Sequence, residues 1–568
     1  MRILLVGICF LTSLAAIVAQ AVHLQIYRSR WLSQMATDQY EKSFTTSGKR
    51  GSIYDRNLRE LAVSVKVTSI AAYPSRIQTP DTTAKLLAKI LNLDAPAVKK
   101  RLTADKSFVW IKRKTTAKEA SQVKKLVLPG LDFVEEFNRY YPNTTLAAQA
   151  LGFTGLDGKG LEGLEFYYNR QLTGTRKNFT VFKDALGNEF SPEHRPLATD
   201  SGHNLVLTID GNIQYIVENA LQQAVDQYSA ASALALVMQP QTGALLAIAH
   251  YPTINPNSYL EYDRTRWRNR AITDPFEPGS TIKIFSAAAA LEHGNIKQND
   301  IFYCENGAYK IGKNVVHDIR RHGWLSLQQI VKFSSNIGAA KVGEKVGAKK
   351  LYQTLRSFGF GAQTGIDCPG ETSGSLSHYS AWSGIDIGAI SFGHGISVSA
   401  LQLITAVSAI ANDGMLMKPY IVKAVTDQTG QRVAVCQPQP VRHAVSARTA
   451  EIVKKIMQTV ITEGGTGVNA ALDGYSVCGK TGTARKLDED GKYSDSRHMA
   501  SFVGFAPADR PAIAILVVID EPKETYYGGA VAAPVFKDIA QQTLSYLNIA
   551  PESDKTKFRV SVTTQASG

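Results

Sequence analysis

The octapeptide Phe276-Glu277-Pro278-Gly279-Ser280-Thr281-Ile282-Lys283 decides how the rest of this chain is read. Pro278-Gly279 interrupts whatever precedes it, and the alanine-rich apolar run at 281–291 predicts a helix. Ser280 therefore falls at or beside a helix N-terminus, where backbone N–H groups lack intrahelical partners and can face a developing oxyanion. The i,i+3 spacing puts Lys283 on the same face as Ser280. A serine hydroxyl is a poor nucleophile until a neighbouring base takes its proton. A lysine serves as that base only when burial or a nearby cation holds its amine neutral. By itself the pair fits an N-cap serine and a surface lysine better, and a second SxxK, Ser121-Gln122-Val123-Lys124, has no such context.

Two later stretches change the balance. Ser334-Ser335-Asn336 is the chain's only SxN, and Lys480-Thr481-Gly482-Thr483 holds its only KTG, after a strand-like approach at 475–478. Taken separately, the first reads as a helix cap and the second as a strand ending in a turn. Around them, apolar strand-like runs at 231–238 and 244–250 flank the turn Gln239-Pro240-Gln241-Thr242-Gly243, and runs at 500–506 and 512–519 flank another turn. Long apolar helical stretches lie between, at 281–291 and 399–410. Strands at both ends with helices between predict one large mixed domain built on a central antiparallel sheet. Before it, strand-like stretches at 64–73 and 133–141 alternate with lysine-rich helical ones at 82–91 and 117–126, an irregular α+β texture.

At the N-terminus, residues 3–22 are uncharged and long enough to span a bilayer. Ala19-Gln20-Ala21 also resembles a signal-peptidase site, and the residues alone leave anchor and cleaved signal equally open. An anchor and a cleaved signal alike would export the rest of the chain. The polar tail after Pro551 has the composition of a disordered segment. The net charge of +14 is spread over short runs without interleaved aromatics, which argues against nucleic acid. Five scattered cysteines without CxxC spacing give no disulfide framework, and eleven histidines without HExxH give no metal site.

In this order, the Ser280, Ser334 and Lys480 elements resemble the active-site set of serine penicillin-binding proteins and β-lactamases, SxxK, SDN and KTG; Ser335 stands where that form has Asp. Arg50-Gly51-Ser52-Ile53-Tyr54-Asp55-Arg56, Arg139-Tyr140-Tyr141-Pro142 and Gly160-Leu161-Glu162-Gly163-Leu164-Glu165 are similar to motifs of the non-catalytic pedestal of class B penicillin-binding proteins. The likeness continues through Leu207-Thr208-Ile209-Asp210, Tyr251-Pro252-Thr253, Ser391-Phe392-Gly393-His394-Gly395 and Gly464-Gly465-Thr466-Gly467 to Ala532-Ala533-Pro534-Val535-Phe536.

That resemblance implies an α+β chain with a transmembrane anchor at 1–22, a juxtamembrane stalk at 23–45, a pedestal of dimerisation type at 46–200, a penicillin-binding, serine β-lactamase-like transpeptidase domain at 201–550 and a disordered tail at 551–568. It implies a D,D-transpeptidase that cross-links peptidoglycan through an acyl-enzyme on Ser280 and is acylated by β-lactams. Lys283 would be the base, Ser334 a proton relay, and Asn336 the residue that orients Lys283 and substrate. Lys480, Thr481, Gly482 and Thr483 would bind the donor carboxylate, and the N–H groups of Ser280 and Thr483 would form the oxyanion hole. His394 is expected to shape the site. No cofactor or metal is implied. The partners implied are lipid-linked and nascent peptidoglycan, the membrane, a membrane-embedded glycosyltransferase and division-complex proteins, with the catalytic domain on the periplasmic side. Length and a compact pedestal favour the cell-division subtype over the elongation subtype. The pedestal and apolar anchor weigh against a β-lactamase or D,D-carboxypeptidase, and three intact motifs weigh against a non-catalytic receptor.

Overall fold

The structure, a computed structural model, describes residues 1–29, 31, 41–174, 176–183, 189–190, 201–293, 296–488 and 491–552. The expected tail beyond Glu552 and the stalk residues 30 and 32–40 lie outside the described residues. The chain forms two compact units.

The first unit gathers residues 1–51, 64–139 and 173–202. Its N-terminal helix, Arg2–Val22, continues through a π-type turn, His23–Tyr27. Together these 26 residues are apolar and long enough to cross a membrane. At the standard rise they span ~39 Å, against a hydrocarbon core of ~30 Å. The expected alternation of strands and helices is present. Strand Glu60–Ala72, whose residues from Ser64 belong to this unit, lies between Val109–Thr115 and Leu131–Tyr140. Helices Pro80–Leu91, Ala95–Leu102 and Ala117–Lys124 accompany it. Ile70, Leu87, Leu91, Val98, Leu102, Ile111 and Val123 make a small core. Two helix starts are fixed locally: Asp94 accepts the Ala97 N–H, and Thr116 with Glu119 closes a capping box.

The second unit gathers residues 52–63, 140–172 and 203 onward. Its centre is a five-stranded antiparallel sheet in the order Ala244–Tyr251, Ser232–Gln239, Ile513–Asp520, Tyr493–Ala506, Cys478–Leu487. Both expected hairpins are there. The central strands read as unbroken apolar runs because both faces are covered. Leu236 and Leu516, paired in register, join the core shared with helix Ala400–Ala411. Val237 and Ile515 join the core shared with helices Gly211–Tyr228 and Ala533–Tyr546. The two-residue strand period sends neighbours to opposite faces. Cys478–Leu487 is an edge strand, so one side of its backbone is free to meet a ligand.

The stretch that opens the pedestal resemblance is woven into this unit. Ile53–Tyr54 pairs in parallel with Asn204–Leu207, Ile53 opposite Leu205. The Asp55 carboxylate accepts N–H groups of Asn57, Arg59 and Gly211 at 2.8, 2.9 and 3.1 Å. Asp210 caps helix Gly211–Tyr228 through the Asn212 and Ile213 amides and also accepts from Asn57 Nδ2 and the Tyr546 hydroxyl.

Candidate active site

Ser280 sits in the 3₁₀ turn Gly279–Ile282, which runs into helix Lys283–Glu292. Residues i and i+3 eclipse in a 3₁₀ turn, and Lys283 Nζ lies 3.0 Å from Ser280 Oγ. Gly279 adopts φ +53°, a conformation that favours glycine. Its N–H donates to the Gly393 carbonyl at 3.1 Å, and a Cβ on Gly393 would fall 1.9 Å from the Gly279 oxygen. Two glycines thus bring the 391–395 loop against the turn that carries the nucleophile.

Ser334 and Asn336 arrive from the junction of two helices. Helix Leu327–Phe333 ends on Ser334 in the left-handed conformation, φ +61°. Helix Asn336–Val346 begins two residues later, with Ser335 as its N-cap, accepting the Gly338 N–H at 2.9 Å. The capping reading of SxN is therefore met by Ser335, which leaves Ser334 and Asn336 to meet Lys283. Lys283 Nζ reaches the Ser334 carbonyl at 2.6 Å, Asn336 Oδ1 at 2.7 Å and Ser334 Oγ at 3.2 Å. Asn336 Nδ2 donates to the His317 carbonyl at 3.0 Å, which fixes the amide with its oxygen towards the lysine. A neutral amine has two N–H bonds and one lone pair. The Ser334 carbonyl and Asn336 Oδ1 are pure acceptors, so a neutral amine that gave them its two N–H bonds would turn its lone pair to the Ser280 hydroxyl.

Lys480, Thr481, Gly482 and Thr483 lie within the edge strand rather than at its end. Lys480 Nζ donates to Ser334 Oγ at 3.0 Å and to the Thr481 carbonyl at 3.0 Å. The Ser334 hydroxyl is thereby bracketed by two buried amines. Thr481 Oγ1 bonds Thr466 Oγ1 at 3.0 Å, and Thr483 Oγ1 accepts the Gly528 N–H at 3.1 Å. The Thr483 carbonyl faces Gly279 across the edge, 2.9 Å from where a Cβ would stand. The N–H and C=O of one strand residue share a side, so the Thr483 amide faces the Ser280 turn. The Ser280 amide, in the first turn of its helix, has no intrahelical acceptor.

Electrostatics follow from burial. Lys283 is 1% exposed and Lys480 0%. Burial brings the Lys283 amine down to about 7, against the opposing pull of the Asp318 carboxylate. Burial first, and then the charge of Lys283, push Lys480 well below the ordinary lysine range. Desolvation therefore favours the neutral form of the Lys283 amine near neutral pH.

Sequence reasoning missed Asp318. It accepts from Ser335 Oγ and the Asn336 N–H at 2.5 Å each, and from the Ile337 N–H at 3.1 Å. The acid absent from the middle of SxN thus comes from a loop 17 residues away. Glu277 was also missed as an organiser: its carboxylate accepts the Gly395 N–H at 2.9 Å and the Tyr493 hydroxyl at 3.0 Å. His394 stands 3.9 Å from Glu277, with rings of Phe392 and Tyr493 alongside, and burial lowers its proton affinity. That position suits shaping of the loop. All five cysteines are free. Cys478 Sγ donates to the Lys454 carbonyl, and burial pushes its thiol up, the profile of an inert packed residue. Among the described residues no cluster of His, Cys, Asp or Glu fits a metal.

Comparison with known proteins bears on the same residues. Residues 233–541 match the penicillin binding protein transpeptidase domain, and 45–207 match the penicillin-binding protein dimerisation domain. The chain is 35% identical to the probable peptidoglycan D,D-transpeptidase PenA of Neisseria meningitidis, over 96% of this chain and 93% of that protein. It is 35% identical to the peptidoglycan D,D-transpeptidase FtsI of Escherichia coli K12, over 97% and 93%, and 34% identical to stage V sporulation protein D of Bacillus subtilis, over 94% and 84%. Penicillin binding protein 3 from Mycobacterium tuberculosis, solved with aztreonam, superposes with a TM-score of 0.70 at 29% identity, covering 89% of this chain and 98% of that one.

Proposed function

The chain belongs to the class B penicillin-binding proteins, and on that footing we propose how its residues carry out D,D-transpeptidation of peptidoglycan at the division septum. Ser280 Oγ loses its proton to the lone pair of Lys283 and attacks the carbonyl between the two terminal D-alanines of a donor stem peptide. The oxyanion is held by the Ser280 and Thr483 amides; losing one such donor typically costs about 10²–10³ in rate. Collapse breaks the C–N bond. The departing amine takes its proton from the Ser334 hydroxyl, which regains one from the amines that bracket it. Lys480 with the Thr481 and Thr483 hydroxyls holds the donor carboxylate, at the open edge of the strand containing Gly482. An acceptor amine then attacks the ester, its proton returns through Ser334 and Lys283, and Ser280 is freed. A β-lactam offers an amide and a carboxylate at matching positions, and its leaving group stays tethered.

The observation that carries this reading is the lysine geometry: a buried amine 3.0 Å from Ser280 Oγ, with the Ser334 carbonyl and Asn336 Oδ1 as acceptors at 2.6 and 2.7 Å. The proposed organisation is an anchor at 1–22, a stalk to 45, a pedestal to about 200 and a transpeptidase domain to about 550. The anchor holds the catalytic unit on the extracytoplasmic side, where a membrane-embedded glycosyltransferase and division proteins supply strands. The test is exchange of a labelled D-amino acid into a model pentapeptide by purified protein. Wild type should release D-alanine and incorporate label, and Ser280→Ala should do neither. Release without incorporation would make the protein a carboxypeptidase instead.

A further inference from the structure

Beside the SxN junction, strands Ile301–Tyr303 and Trp324–Ser326 pair as a two-stranded sheet. Phe302 and Leu325 point into the core. By the strand period Ile301, Tyr303 and Trp324 share the outer face. Ile301 is 63% exposed and Trp324 64%. A tryptophan so exposed contributes little to its own fold, and contiguous exposed apolar surface marks an interaction site. The rings of Tyr303 and Trp324 lie 5.2 Å apart, and Asn306 Nδ2 donates to the Tyr303 hydroxyl at 2.9 Å. Arg320 and Arg321 are exposed on the adjoining loop and, among the described residues, form no ion pair.

The backbone links this face to the active site at two points. The same loop begins with Asp318, which holds Asn336. Ser326 caps helix Leu327–Phe333, which ends on Ser334. From Trp324 to Ser334 the backbone path is ~19 Å at standard rises. An extended peptide of roughly five residues reaches ~17 Å.

We propose that the Trp324–Tyr303 face is a docking platform for the glycan strand that carries a stem peptide to Ser280. Sugar rings offer flat C–H faces to the two aromatics, while their edges meet polar groups. Arg320 and Arg321 complement the carboxylates of the stem peptide. The inference rests on the transpeptidase reading and names where its polymeric substrate lies.

The experiment uses the full-length chain in detergent and three probes: soluble uncross-linked strands bearing stem peptides, the same strands stripped of peptide, and free stem peptide. Trp324→Ala should weaken binding of both strand probes about tenfold. Arg320→Ala/Arg321→Ala should weaken only the peptide-bearing strands and flatten their salt dependence. Benzylpenicillin acylation should stay at the wild-type rate in both variants. Unchanged strand binding by Trp324→Ala would overturn the proposal. So would loss of acylation together with binding, which would make Trp324 a prop for the site's fold. Wild type that binds only free stem peptide would overturn the glycan contact. Acylation without any strand binding would sink this proposal alone, whereas absence of acylation would sink the transpeptidase reading as well.

Discussion

At the scale of single residues, the proposed chemistry depends on the protonation of Lys283. Its folded value of about 7 lies below that of an exposed lysine, because burial disfavours the charged form. In the proposed mechanism the working base is the neutral amine, so the rate of benzylpenicillin acylation should rise with pH through about 7 and then level off. Stopped-flow acylation across the neutral range would show it; a rate that falls as pH rises would be incompatible with a lysine base. The Asp318 charge opposes the burial effect. Asp318→Asn should therefore move that midpoint to lower pH, and loosening of Asn336 should cut the plateau to about a tenth. An unmoved midpoint would show that the carboxylate acts only as a helix cap. Ser280, Lys283, Ser334, Asn336 and Lys480 were legible because each sits in a short motif with local meaning. Asp318 was not. A lone acid in a loop has no pattern, and only the folding of its hairpin onto the SxN junction gives it a partner.

At the scale of elements, the site is held by close contacts and caps. Gly393 lies against the Gly279 carbonyl, so Gly393→Ala should displace the turn that carries Ser280. Acylation should fall at least about tenfold while far-UV circular dichroism stays that of wild type, since a local shift there costs ~1–3 kcal/mol, not the whole fold. Wild-type acylation in this variant would show that the loop can move aside. Asp210 is 2% exposed and serves four donors. Asp210→Ala should cost ~2–3 kcal/mol in denaturant unfolding, a cap plus a buried network. The hairpins and the long apolar helices were readable because turn residues and two-residue or helical periods are written locally. That the KTG segment is the interior of an edge strand was not readable. Edge position depends on which strands pair, and local sequence does not encode that order.

For the whole molecule, a catalytic unit that follows an apolar N-terminal helix predicts separable parts. A chain lacking residues 1–22 should leave the membrane fraction yet acylate at the wild-type rate within about twofold, since surface changes remote from a site rarely exceed ±0.5 kcal/mol. Loss of acylation on truncation would tie the helix to the fold of the site. Composition and motif order separated an N-terminal region from a catalytic one. The weave of 52–63 and 140–172 into the second compact unit was hidden, because pairings such as Ile53 with Leu205 join residues far apart in sequence. The central claim is that Ser280 is the acylated nucleophile. The most direct test is intact-protein mass with peptide mapping after incubation with benzylpenicillin, for wild type and Ser280→Ala. One persistent adduct, mapped to the peptide containing Ser280 and absent from the variant, is predicted. An adduct retained by Ser280→Ala, or hydrolysed antibiotic with no adduct on wild type, would contradict it.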